Sequence, residues 1–141
     1  LVAQVQFVDH VAIIVRDAAS FGLDVIPVPS EEVNMVMQPS AALGERGRIE
    51  LIEATNPTGA LQVFLDKAGE RTHHVCFAVS NLEAAMRRAE ALGLGVVPPR
   101  YKKADDTFVP AVNTHEGYRA LFFWNKANGL LVEFVQYGLG D

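Results

Sequence analysis

The chain has a single cysteine, Cys76, so it cannot form an internal disulfide. It also lacks any excess of positive charge. Twelve Lys and Arg stand against 17 Asp and Glu, giving a formal charge of −5. A nucleic-acid surface needs clustered cations to displace counterions from phosphates, so nucleic acid is not an expected partner. Long apolar runs are missing too: VAIIV (11–15) is far shorter than the ~20 residues a helix needs to cross a bilayer, and no membrane partner is expected. No charged-then-apolar leader precedes Leu1, which together with the lone thiol makes a reducing cytoplasm the expected compartment. What the chain does have is apolar mass. At 141 residues, 50% hydrophobic and 21% charged, it can bury the core of one globular domain.

Laid against itself, the sequence repeats. DHVAIIVRD (9–17) aligns with HHVCFAVSN (73–81), GLDVIPVP (22–29) with GLGVVPPR (93–100), and IELIE (49–53) with VEFVQ (132–136), at offsets of 64, 71 and 83. One shared apolar block would mean little, because most strands look alike. Three blocks in one order, each keeping its polar exception, indicate two tandem modules at about 7–53 and 72–137 within a single domain, 1–141.

The second module is the more legible. HHVCFAV alternates as a strand, and SNLEAAMRRAEALG follows as a helix. Ser80 and Glu83 have the spacing of a capping box, Leu82, Ala85, Met86, Ala89 and Leu92 make an apolar stripe, and Gly93 is a natural stop. RALFFW and LLVEFVQY flank the turn-forming NKANG and predict a hairpin. The first module offers strands at VDHVAIIV, VNMVMQ and RIELIEA. TGALQVFLDKAG (58–69) predicts a linker helix with Leu61, Phe64 and Leu65 on one face. Between Asp17 and Gly22 the first module has too few residues for the helix its twin carries. Either that helix is reduced to a turn or residues are absent from the chain. The second is preferred, because losing the helix would strip one face of the module's sheet.

The repeat also sorts the polar exceptions. It pairs His74 with His10, and period-2 alternation puts His73 on the opposite face from His74. Two residues on, Ala12 and Cys76 are small, which predicts room for a guest above that face. Glu50 pairs with Glu133, each a charge set among apolar strand residues, where a carboxylate is costly unless a cation meets it. Taken singly, a strand histidine is a hydrogen-bonded core residue and a strand glutamate faces solvent. Four such positions tied by one repeat favour a divalent metal held by two histidines and two glutamates. His73 and His115 stay outside the set, the first on the wrong face and the second in the polar NTHEGYR loop. Cys76 reads as a small buried residue, Lys102 and Lys103 as a solvated loop, and Phe122 and Trp124 as core.

These stretches carry a resemblance. HVAIIVRD, HHVCFAVSNLEAAMRRAEALG and GLLVEF, spanning nearly the whole chain, resemble the vicinal oxygen chelate superfamily of glyoxalase I, methylmalonyl-CoA epimerase, extradiol dioxygenases and antibiotic-resistance binding proteins. The resemblance implies an α+β fold of two βαβββ modules forming a half-open barrel, with a metal held by His10, Glu50, His74 and Glu133. IELIEATNPTGALQVFLDKAGERTHHV looks most like the epimerase branch. Two features depart from it: Trp124, Asn125 and Lys126 stand where that branch carries HPK, and Asn34 and Met35 stand where some members carry a second glutamate.

The implied chemistry is proton transfer α to a carbonyl or thioester, epimerase-like or glyoxalase I-like. Glu133 or Glu50 is the candidate general base, and one divalent ion (Co, Ni, Zn, Mn or Fe) is the cofactor. A small-molecule substrate, a CoA thioester among the candidates, and a homodimer are the implied partners. An extradiol dioxygenase would need only His10, His74 and Glu133 on Fe(II), and a drug-binding resistance protein would lose the ligands. Retention of Glu50 argues against the first and retention of all four against the second.

Overall fold

The computed structural model describes residues 4–97, 101–102, 108–109, 113–115, 117–125 and 130–138. The elements run in order β1 (Val5–Ile14), β2 (Ile26–Val28), β3 (Val33–Pro39), β4 (Arg48–Ala54), α1 (Ala60–Ala68), β5 (Arg71–Val79), α2 (Leu82–Ala91), β6 (Gly95–Val97), β7 (Tyr101–Lys102), β8 (Phe108–Val109), β9 (Asn113–His115), β10 (Tyr118–Asn125) and β11 (Leu130–Tyr137). Two compact units divide them. One is His10–His74; the other is built from the chain up to Asp9 and from Val75 onward.

In the 10–74 unit the sheet order is β2-β3-β4-β1. β4 runs parallel to β1 with Ala12 opposite Glu50, and antiparallel to β3 with Met37 opposite Glu50. Residues in register share a face, so His10, Ala12 and Ile14 lie with Glu50, Ile52 and Met37 on one side of this sheet. α1 forms as the 58–69 stretch predicts. Its Leu65 is buried with Ile14 and Ile52, and Leu61 and Phe64 pack against them. Gln62 donates to Asp66 one turn on at 2.9 Å. Gly69, at φ +77°, supplies the left-handed residue that ends the helix, its N–H donating to the Leu65 carbonyl at 2.8 Å.

On the opposite side of the same sheet, Asp17–Gly22 forms one 3-10 turn, Ala18–Phe21, with Asp17 accepting the Ala19 N–H and Gly22 closing at φ +72°. Ala18 is fully buried and packs with Val15, Val36 and Leu51. The shorter cover leaves Phe21, Leu23 and Ile26 exposed.

In the other unit the order is β5-β11-β10-β6, with β9 also on β10. β5 and β11 are parallel with Cys76 opposite Glu133, and β10 and β11 are antiparallel over their full length, as the hairpin reading requires. The Lys126–Gly129 part of NKANG lies outside the described residues. α2 packs Leu82, Ala85 and Ala89 against Val79, Leu121 and Phe123, with Met86 alongside.

Four details differ from the reading of the sequence. The N-cap of α2 is Asn81, whose Oδ1 accepts the Ala84 N–H at 2.9 Å, while Ser80 Oγ instead accepts the Gln4 N–H. Leu92 is past the helix end and 64% exposed. Phe123, not Phe122 or Trp124, is the fully buried aromatic of β10, because it faces α2. His115 belongs to strand β9, paired with Tyr118, rather than to a loop. Lys102 closes β7, and Lys103 is outside the described residues. Among the described residues no helix is long and apolar enough to cross a membrane.

Candidate metal centre

Each unit repeats one local arrangement. In the 10–74 unit a parallel pair of strands sets Glu50 opposite Ala12, two residues beyond His10; in the other unit it sets Glu133 opposite Cys76, two residues beyond His74. The repeat read from the sequence is therefore a repeat of strand register as well as of residue type.

Within the 10–74 unit three of the four predicted ligands come together. His10 and His74 are buried, 8% and 5% exposed, and their Nε2 atoms stand 3.1 Å apart. Glu50 Oε2 lies 3.7 Å from His10 Nε2. Two metal–nitrogen bonds of about 2.1 Å meeting at roughly 90–110° hold their nitrogens about 3.0–3.4 Å apart, a range that contains the observed 3.1 Å. Two imidazoles and a carboxylate form a donor set suited to Zn, Co, Ni, Mn or Fe. The two buried imidazoles are close enough to serve one metal ion. Glu133 is half-buried in the other unit, directly opposite Phe122 on β10 and Cys76 on β5.

The two small residues, Ala12 and Cys76, are themselves buried. Ala12 is fully buried, and Cys76 packs with Ala78, Ala120 and Val135, with Phe7 and Tyr118 against them. The face around Glu50 continues with Met37 directly opposite it and not with a second carboxylate. Asn34 is on the other side, donating to Glu53 Oε2 at 3.3 Å.

Sequence reasoning passed over two neighbours of the histidines. Asp9, which the repeat aligns with His73, is 3% exposed and accepts the Tyr137 hydroxyl at 2.5 Å. A buried carboxylate needs such a donor, and the Asp-His doublet was its only sequence signal. His73 Nδ1 lies 2.8 Å from His74 Nδ1. Alternation shows where a Cβ points, but Nδ1 sits close to the main chain, where adjacent residues can still meet.

Residues 9–109 match the family described as the Glyoxalase/Bleomycin resistance protein/Dioxygenase superfamily. The chain belongs to this superfamily. The α+β, glyoxalase-like fold that the resemblance implies is thus the fold it has. Among solved structures, the superfamily chain is similar to a hypothetical protein from Bacillus halodurans C-125, with 19% identity and TM-score 0.67 over 99% of this chain and 97% of that one. It is similar to methylmalonyl-CoA epimerase from Mycobacterium tuberculosis, with 22% identity and TM-score 0.66 over 95% and 89%. It is also similar to a single-residue variant of Streptomyces coelicolor methylmalonyl-CoA epimerase in complex with 2-nitronate-propionyl-CoA, with 20% identity and TM-score 0.64 over 96% and 99%. Identities this low speak to fold alone. No curated protein matches the chain in sequence.

Proposed function

We propose that this chain is a metal-dependent enzyme that moves a proton α to a carbonyl or thioester, in the manner of the epimerases it resembles in fold or of glyoxalase I. The observation that carries the reading is the buried His10–His74 pair, Nε2 to Nε2 at 3.1 Å, with Glu50 beside it. Four residues hold the ion on this reading: His10, Glu50, His74 and Glu133. Glu133 joins them because it repeats Glu50 in type and in register, one against Cys76 and the other against Ala12.

Bound there, a divalent ion supplies Lewis-acid stabilisation of negative charge developing on a carbonyl oxygen, worth several kcal/mol. The chain's own groups supply the rest. Glu133 or Glu50 accepts the α-proton on a carboxylate oxygen, and reprotonation on the opposite face, epimerase-like, or at the neighbouring carbon, glyoxalase I-like, completes the transfer. His10 and His74, buried and directed at one another, keep the centre fixed while a carboxylate moves. The substrate class proposed is a small acyl thioester, supported by the CoA-bound epimerase among the structural neighbours. The experiment that tests the reading is α-proton exchange into a panel of acyl thioesters in deuterated water, with and without added metal. Metal-dependent exchange supports it, and its absence with a fully loaded centre counts against it.

We also propose a homodimer. β2 is the edge strand of its unit's sheet, and Ile26 on it is exposed, as are Phe21 and Leu23 just before it. An open edge flanked by apolar side chains is a surface that a second copy can cover.

A further inference from the structure

Four polar side chains of the 10–74 unit form a chain of contacts. Glu50 Oε2 faces His10 Nε2 at 3.7 Å, His10 Nε2 faces His74 Nε2 at 3.1 Å, and His74 Nδ1 faces His73 Nδ1 at 2.8 Å. A nitrogen pair at such distances shares one proton, with one ring donating and the other accepting. The direction of sharing can run either way along the chain, and ligation decides it. A ligating nitrogen offers its lone pair, so a neutral His74 that binds through Nε2 keeps its proton on Nδ1, and that N–H donates to His73 Nδ1 at 2.8 Å. His73 in turn holds its own proton on Nε2.

We infer that His73 is a positioning residue for the metal centre: its Nδ1 accepts the His74 Nδ1–H and so presents the His74 Nε2 lone pair for ligation. This inference rests on the proposed metal centre. Ligating histidines are generally fixed through the ring nitrogen that does not bind the metal, most often by a carboxylate, a carbonyl or water. Here the partner is a second imidazole, itself held in place. His73 is half-buried, and the ring of Phe64 on α1 meets it edge to face at a centroid distance of 4.8 Å. The His73 and His74 rings are themselves nearly perpendicular, at 79° with centroids 5.0 Å apart. α1, placed by Leu65 against Ile14 and Ile52, is thereby connected to the ligand through one side chain.

The test compares His73→Phe, which keeps an aromatic ring against Phe64 but removes the acceptor, with His73→Asn, whose amide oxygen can stand near the position of Nδ1. Two readouts are used: long-range 15N–1H correlation spectra of the metal-free protein, which report the tautomer of His74, and the zinc dissociation constant by chelator competition. The expected result is His74 protonated on Nδ1 in the wild type and in His73→Asn, and losing that preference in His73→Phe. Zinc affinity should fall about 10- to 100-fold in His73→Phe and recover most of the loss in His73→Asn. An unchanged tautomer and an unchanged zinc affinity in His73→Phe would overturn the inference while leaving the metal centre standing. A wild type that takes up no zinc would remove the metal reading, and this inference with it. If His73→Phe does not fold, His73→Asn decides alone: Nδ1 protonation of its His74 supports the inference, and a shift of that proton to Nε2 overturns it.

Discussion

His10 and His74 face each other Nε2 to Nε2 at 3.1 Å although 64 residues separate them in the chain. Two imidazoles converge this closely around one shared proton or around one cation. The second case predicts about one divalent metal per chain in protein purified without added metal, measured by elemental analysis, and none in a His10→Ala, His74→Ala double variant. Metal at 100 times its dissociation constant adds about 2.7 kcal/mol of stability. Added metal should therefore raise the melting temperature of the wild type and not that of the variant.

Glu133→Gln separates ligation from proton transfer. Loss of a general base typically costs about 10²–10⁴ in rate, whereas three remaining ligands and a neutral amide retain most of the metal. The expected outcome is a variant that still analyses for metal and exchanges α-protons slower by roughly a hundredfold or more. Full exchange in Glu133→Gln would assign the base to Glu50, to be checked by Glu50→Gln.

Leu65 is the buried anchor of α1, 3% exposed against Ile14 and Ile52. Leu65→Ala should cost about 2–5 kcal/mol in a urea titration, by lost burial and the cavity left behind. Lys67, on the same helix and outside that cluster, should tolerate Ala within about 0.5 kcal/mol.

Glu83 in the first turn of α2 pairs with Arg119 on β10 at 2.5 Å. Burial pushes the Glu83 carboxyl up, but its own backbone N–H, the Arg119 hydrogen bond and the charges of Arg119 and Arg87 outweigh this and hold it below its ordinary value. A depressed folded-state pKa means the contribution is present above the unfolded value of 4.5 and fades as pH falls through the folded one. The carboxylate side chain is 46% exposed, so solvent screens the pair and its worth is small. Glu83→Gln should lower stability by no more than about 1 kcal/mol at neutral pH and low salt, and by less at pH 3 or in 1 M salt.

Sedimentation checks the proposed dimer. Wild type at micromolar concentration should run as a dimer, and Ile26→Lys, which puts a charge on the β2 edge, should run as a monomer. A monomeric wild type would sink this reading.

Much of the fold was legible because the chain states its pattern twice. The repeat alone pairs His10 with His74 and Glu50 with Glu133, and the shared register of Ala12–Glu50 and Cys76–Glu133 shows why it can. Competition between equivalent groups was not legible. Ser80 and Asn81 are both good caps, and what settles the choice is the Gln4 N–H, which occupies Ser80. Alternation put His73 on the far face and could not show that Nδ1 reaches back along the main chain to its neighbour.

The 3-10 turn Ala18–Phe21 shields Val36 and Leu51 with four residues, whereas α2 lays ten over Leu121 and Phe123. A cover held by one buried alanine lifts far more easily than one held by three apolar anchors, so the two copies of the pattern keep different time. Amide protons of Val36 and Leu51 should reach solvent through brief local openings, those of Leu121 and Phe123 only when the whole unit lets go. His10 and Glu50 thus belong to the copy with the shorter cover and Glu133 to the copy with the longer one, which gives a duplicated motif the asymmetry that its sequence symmetry conceals.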